Sequence, residues 1–108
     1  MLALDKDTFQ PEVLEAKGLV FVDFWSQSCE PCKALMPDVE KLAEKYAGTM
    51  KFTNMDTTKA RRVAIGQKVL GLPTLAIYRD GEKIEELTKD DATIENIENM
   101  IKKYAAQA

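Results

Sequence analysis

Histidine is absent from this chain of 108 residues, and cysteine occurs only twice, as Cys29 and Cys32. A structural zinc site takes about four thiolate or imidazole ligands, so a single copy of the chain holds at most half of one. A bridge between two cysteines so close in sequence would constrain little of the unfolded chain, which argues against a purely structural disulfide. Glycine and proline are also scarce, at 5 and 4 residues, while 45% of the residues are hydrophobic. That balance belongs to a compact protein rather than a disordered one. At this length one domain is expected, spanning 1–108, able to bury roughly two-thirds of the surface its unfolded chain exposes without a covalent staple. No excess of positive charge is present: the formal net charge is -3, which gives no reason to expect a nucleic acid partner. Long apolar runs are missing too, so no membrane span is expected. The opening Met1-Leu2-Ala3-Leu4-Asp5 lacks the basic region and apolar stretch of an export signal. A cytoplasmic location is the default expectation.

What the chain does have is a placement. Cys29-Glu30-Pro31-Cys32 follows directly on the apolar run Leu19-Val20-Phe21-Val22-Asp23-Phe24-Trp25, which reads as a buried strand. A strand feeding a helix whose first turn holds C-x-x-C puts one sulfur at the helix N-terminus, where free backbone N–H groups and the helix dipole favour a thiolate. Cys29 is therefore the expected nucleophile, and Cys32, three residues along the same turn, the sulfur that attacks Cys29 to release a reduced target. Asp23 is a carboxylate inside an apolar strand. Burial there would raise its pKa toward neutrality and let it exchange a proton with a thiol; a half-exposed strand end would leave it merely solvated.

The periodicities outline the rest. Leu2 to Asp5 reads as a short strand. Thr8 is read as the N-cap of a helix to about Lys17, with Pro11 early in it and Gly18 beyond its end. Leu35, Val39, Leu42 and Tyr46 fall on one face of a helix from about Cys29 to Ala47, closed by Gly48 and interrupted by Pro37, which should kink it. Met50 to Thr57 reads as a strand and Lys59 to Ile65 as a helix. Thr74 to Tyr78, a turn at Asp80-Gly81 and Lys83 to Thr88 form a hairpin. A last helix turns Ile94, Ile97, Ile101 and Tyr104 inward, and Lys102 and Lys103 suit its C-terminal dipole. No repeat, linker or low-complexity tract appears.

Phe21-Val22-Asp23-Phe24-Trp25, Cys29-x-Pro31-Cys32-Lys33, Pro37 and Gly71-Leu72-Pro73-Thr74, followed by a strand and Asp80-Gly81-Glu82, together resemble the thioredoxin family along almost the whole chain. From Asp23 to Gly81 the family's usual spacing is kept without a gap. The resemblance implies an α/β fold, a central mixed β-sheet flanked by helices. It implies a protein-disulfide reductase that needs no cofactor beyond its redox-active disulfide, is recharged by a thioredoxin reductase and serves disulfide-containing clients in electron transport and redox homeostasis. A monomer is expected. The resemblance also has Asp23 exchange a proton with Cys32 and implies a cis bond between Leu72 and Pro73, beside Cys29. Such a bond would leave the Leu72 backbone free to pair with an extended target. Read without the resemblance, Pro73 is a proline at a strand start. Trp25, Ser28, Glu30, Pro31, Leu72 and Pro73 are then the expected substrate-binding residues, Trp25 having the alternative of a plain core aromatic.

Departures from the family pattern fall around the same site. Ser28 stands where a tryptophan is usual, Glu30 where a glycine is usual, and Asn54 where a lysine commonly faces the buried aspartate. Losing that cation should push the Asp23 pKa higher still. Lys89-Asp90-Asp91 replaces a loop that usually carries a glycine. Lys59, Arg61, Arg62 and Lys68 form a basic cluster, either a solvated helix face or a dock for an acidic partner. Three other functions stay open beside general reduction of protein disulfides: an electron donor dedicated to one metabolic reductase system, a noncatalytic interaction module on the same fold, and a disulfide oxidant or isomerase. Binding alone does not require both cysteines, Asp23 and Pro73 together, and oxidants normally belong to an oxidising compartment.

Overall fold

A computed structural model describes residues 1–108. Five strands, β1 (Leu2–Leu4), β2 (Leu19–Trp25), β3 (Lys51–Asp56), β4 (Thr74–Arg79) and β5 (Glu82–Thr88), form one sheet in the order β1-β3-β2-β4-β5. β1 and β2 run parallel to β3, whereas β4 runs antiparallel to both β2 and β5. The sheet is therefore mixed, with β2 at its centre.

Side chains alternate across a strand, and β2 divides the core accordingly. Val20, Val22 and Phe24 pack with Phe9, Val13, Met55 and Tyr78 on one face. Phe21 packs on the other with Val39, Leu42, Ile77, Ile97 and Ile101. Burying each of these large apolar side chains is worth about 1.5–3 kcal/mol. The second face is covered by two helices, α1 (Glu30–Lys45) and α3 (Ile94–Ala105). Lys45 Nζ and Tyr46 Oη both reach Glu98 Oε2 at 2.7 Å, joining the end of α1 to α3. Thr93 caps α3 by accepting from the Asn96 amide at 3.1 Å. Asp23 shares the parity of Phe21 along β2 and so lies on the α1 face.

The first expected helix does not form as a helix from Thr8 to Lys17. Its helical part is one wide turn over Gln10–Leu14, and Thr8 is not its cap. Asp5 instead accepts the amides of Asp7 and Thr8 at 2.8 and 2.9 Å. With Pro11 in its first turn and only five residues, the segment has little hydrogen bonding of its own. Phe9 and Val13, both buried, hold it against the sheet.

The region from Met50 to Ile65 also resolves more finely than expected. After β3 comes a tight turn at Thr57–Lys59, and a short α2 covers Arg61–Gly66. The β4–β5 hairpin turns at Asp80 (φ 51°) and Gly81 (φ 85°), both left-handed as a two-residue turn requires. Asp80 also exchanges two hydrogen bonds with Gly18, its amide donating to the Gly18 carbonyl at 3.0 Å and its carboxylate accepting from Gly18 N–H at 2.8 Å. Gly81 has a second reason to be glycine: a Cβ there would collide with the Leu14 carbonyl.

Candidate active site

Cys29 is the N-cap of α1, in an extended conformation (φ -91°, ψ 99°), with Glu30 and Pro31 opening the helix. Proline suits this position because an N–H there would have no intrahelical partner. The two sulfurs form a disulfide, with Cα atoms 5.3 Å apart. Cys29 Sγ also accepts the Cys32 amide at 3.3 Å. A donor aimed at a sulfur stabilises that sulfur when it is charged. The two cysteines differ in access: Cys29 is partly exposed and Cys32 buried. Of the two, Cys29 is the one open to solvent.

Asp23 lies at 2% exposure and pairs in register with Asn54 on β3 and Leu75 on β4. Burial alone raises its pKa from 3.8 to about 7. No ion pair or protein hydrogen bond offsets that desolvation. Asn54 serves Trp25 instead, its Oδ1 accepting the indole N–H at 3.0 Å. The indole N–H can only donate, so the amide oxygen must face it. Trp25 is half-buried at the end of β2, and its carbonyl accepts from Thr57 Oγ1 at 3.0 Å. Neither the Asn54 nor the Thr57 contact was legible beforehand, because strand register is needed to bring them to Trp25.

The Leu72–Pro73 bond is cis. Hydrogen bonds fix both sides of Leu72: the Gly71 carbonyl accepts from Thr74 Oγ1 at 2.7 Å, and the Pro73 carbonyl from the Lys89 amide at 2.9 Å. The N–H and carbonyl of Leu72 itself have no partner. An unpaired N–H and carbonyl on one residue beside a sheet are suited to pair with an added extended chain. An open cavity of about 530 Å³ brings Pro31, Leu35, Leu72, Pro73 and Lys89 to a common surface. The cysteine helix and the proline loop thus face one groove.

The remaining expected site residues, Ser28 and Glu30, flank Cys29 in the chain and are not among the residues lining this groove. Ser28 is exposed, its hydroxyl 3.3 Å from that of Ser26. Glu30 is exposed and forms a 3.4 Å ion pair with Lys33. Its charge is therefore partly answered within the same helical turn. Within the basic cluster, Arg61 lines both a cavity at the proline loop and the one that Lys59 and Arg62 border, while Lys68 lines a third, against Leu70 and Gly71. No group of three or more potential metal ligands exists, and no helix is long and apolar enough to cross a membrane.

Comparison with known proteins bears on this arrangement. The family profile described as Thioredoxin matches residues 1–103. A protein named thioredoxin from Acetoanaerobium sticklandii is 64% identical over 96% of this chain and 99% of its own length. Another of that name, from Peptoclostridium acidaminophilum, is 60% identical over 96% of this chain and 94% of its own. Thioredoxin C-2 of Corynebacterium nephridii is 38% identical over 74% of each chain.

Proposed function

We propose, for a chain that belongs to the thioredoxin family and is a thiol-disulfide oxidoreductase, that Cys29 attacks and Cys32 resolves. The observation that carries this assignment is the difference in access between the two sulfurs, combined with the Cys32 amide aimed at Cys29 Sγ. In the reduced protein the Cys29 thiolate attacks one sulfur of a client disulfide, forming a mixed disulfide and expelling the other client sulfur as a thiolate. Asp23, holding a carboxyl that titrates near neutrality, takes the proton from Cys32. The Cys32 thiolate then attacks Cys29 Sγ, closing the protein disulfide, and the second client sulfur leaves with a proton. Two electrons pass to the client, and no cofactor beyond the cysteine pair is involved.

Clients are held through main chain. An extended segment pairs with the free N–H and carbonyl of Leu72, across the groove from Pro31, with Trp25, Ser28 and Glu30 as further client-binding residues. Recognition of this kind is broad, because backbone is common to every client. Residues 1–108 act as one thioredoxin domain, a cytoplasmic monomer. A thioredoxin reductase recharges the disulfide, and proteins with accessible disulfides are the clients.

Trapping tests the assignment. In a lysate, Cys32→Ser should accumulate mixed disulfides with client proteins, whereas Cys29→Ser should trap almost none. Equal trapping by both variants would dissolve the division of roles.

A further inference from the structure

The loop Leu70–Pro73, which presents Leu72 to clients, is ringed by cations that no carboxylate neutralises. Arg61 lines the cavity on one side of it, together with Leu70 and Leu72. Lys68 and Lys89 line a second cavity, against Leu70 and Gly71. Lys89 also borders the groove that holds Pro31 and Pro73. None of the three takes part in an ion pair, although the protein as a whole carries a net charge of -3. Two acidic groups face these cavities. Glu86 lies in the second and is already held by Lys83 at 2.7 Å; Asp90 borders only the groove at Pro73. Asp90 is unpaired too, so the charge left unanswered around the recognition loop is three cations against one carboxylate, a positive balance.

The two lysines stand where the backbone would favour another residue. Lys68 (φ 61°) and Lys89 (φ 53°) are both left-handed, the conformation in which glycine is the usual choice. Lys68 follows α2 at the position where a left-handed glycine commonly ends a helix, its amide donating to the Ile65 carbonyl at 2.9 Å. Lys89 occupies the loop before α3, and its amide fixes the Pro73 carbonyl. Its aliphatic stem lies over Gly71, in space that a side chain there would fill: a Cβ on Gly71 would collide with Lys89 Cε and come within 3.2 Å of Cδ and Cγ. Gly71 thus lets the Lys89 side chain lie directly against the loop.

We propose that Arg61, Lys68 and Lys89 determine specificity, selecting client proteins whose target disulfide is flanked by aspartate or glutamate. The proposal rests on the reading of Leu72 as the client-pairing residue. Main-chain pairing supplies affinity common to all clients, and the cationic ring discriminates among them by the charge of the side chains that pass beside the loop. Long-range attraction of this sort acts mainly on association and weakens with salt.

The test uses the pre-reduced full chain under single-turnover conditions with three synthetic peptides. Each carries one intramolecular disulfide flanked by aspartates, serines or lysines. The acidic peptide should be reduced with the largest second-order rate constant and the basic one with the smallest. Each neutralisation (Arg61→Gln, Lys68→Gln, Lys89→Gln) should lower the acidic-to-basic ratio by about two- to fivefold, the scale of one exposed ion pair. Added salt should compress the ratio in the wild type and do little in the triple variant. Lys89→Gly, which relieves the left-handed backbone, should lower the ratio as Lys89→Gln does. Equal rates for all peptides, or a preference that survives in the triple variant, would overturn the proposal while leaving the disulfide chemistry intact. Failure to reduce any peptide would overturn the underlying reading, and the proposal with it.

Discussion

Replacing Asp23 by asparagine removes the one ionisable group that the fold buries without a partner, and the effect on stability should depend steeply on pH. In the native protein the carboxyl keeps its proton up to about pH 7, whereas an unperturbed aspartate releases it near 3.8. Between those values the folded state binds a proton that the unfolded state does not, so wild-type stability falls as pH rises, by about 1.4 kcal/mol per unit. Across the window the loss amounts to about 4 kcal/mol, and above about pH 7 it levels off. The asparagine side chain would fill similar space with no charge to desolvate. Urea denaturation of the two oxidised proteins, followed by far-ultraviolet circular dichroism from pH 4 to 9, should therefore show little pH-dependent difference at pH 4 and a growing advantage for Asp23→Asn toward neutrality. Asp5, Glu85 and Glu98 titrate in both proteins and cancel from the comparison; backbone N–H groups hold the first low, and hydrogen bonds from Lys103 and Lys45 the other two. Under the proposed role of Asp23 as proton acceptor for Cys32, the stabilised variant should also release reduced client more slowly. Stability profiles that run parallel across the whole range would refute the desolvation argument.

Three other perturbations follow from contacts around the site. Asn54→Lys removes the acceptor for the Trp25 indole and sets an ammonium beside Asp23, so the emission of the only tryptophan should change and the Asp23 pKa should fall by at least about one unit. A pH–turnover profile that does not move toward acid would mean that the lysine turns away. Gly81→Ala combines a left-handed φ of 85° with a collision against the Leu14 carbonyl, and should destabilise the chain by more than about 2 kcal/mol in urea titration. An unchanged midpoint would contradict the close packing of the hairpin on Leu14. Glu30→Gly should speed alkylation of the reduced Cys29 at pH 7 by only about twofold, because Lys33 already offsets part of the carboxylate and both groups are exposed. The gain should vanish in high salt, and slower alkylation would assign Glu30 to client docking alone.

The elements that could be read from the sequence are those whose local pattern and long-range packing agree. β2 runs over Leu19–Trp25 as its apolar run indicates, α1 begins at the cysteine motif, and Asp80-Gly81 turns the hairpin. The segment after Asp5 failed because its cap-like Thr8 and apolar spacing suggested a helix, while its actual conformation is set by contacts with the sheet and by Asp5 accepting two amides. Asp23 could be picked out because a charge in an apolar strand is conspicuous. The bond between Asn54 and Trp25 could not, since it depends on β3 lying parallel to β2 in one register, 29 residues apart in sequence. The same holds for Lys89: its sequence position marked an unusual loop, but only the folded chain brings its stem over Gly71.

The sheet order also has a meaning for biosynthesis. Cys29 and Cys32 belong to a single turn of helix, so the reactive pair is complete almost as soon as it leaves the ribosome. β2, on whose end that pair sits, obtains its neighbours much later, Val22 meeting Thr53 first in chain order and Ala76 after it. Leu72 and Pro73 arrive just ahead of β4. For that interval the nascent chain carries its two thiols next to a bare strand edge and without the loop proposed to pair with clients. In chain order, the capacity for thiol exchange precedes the loop that would discriminate among partners.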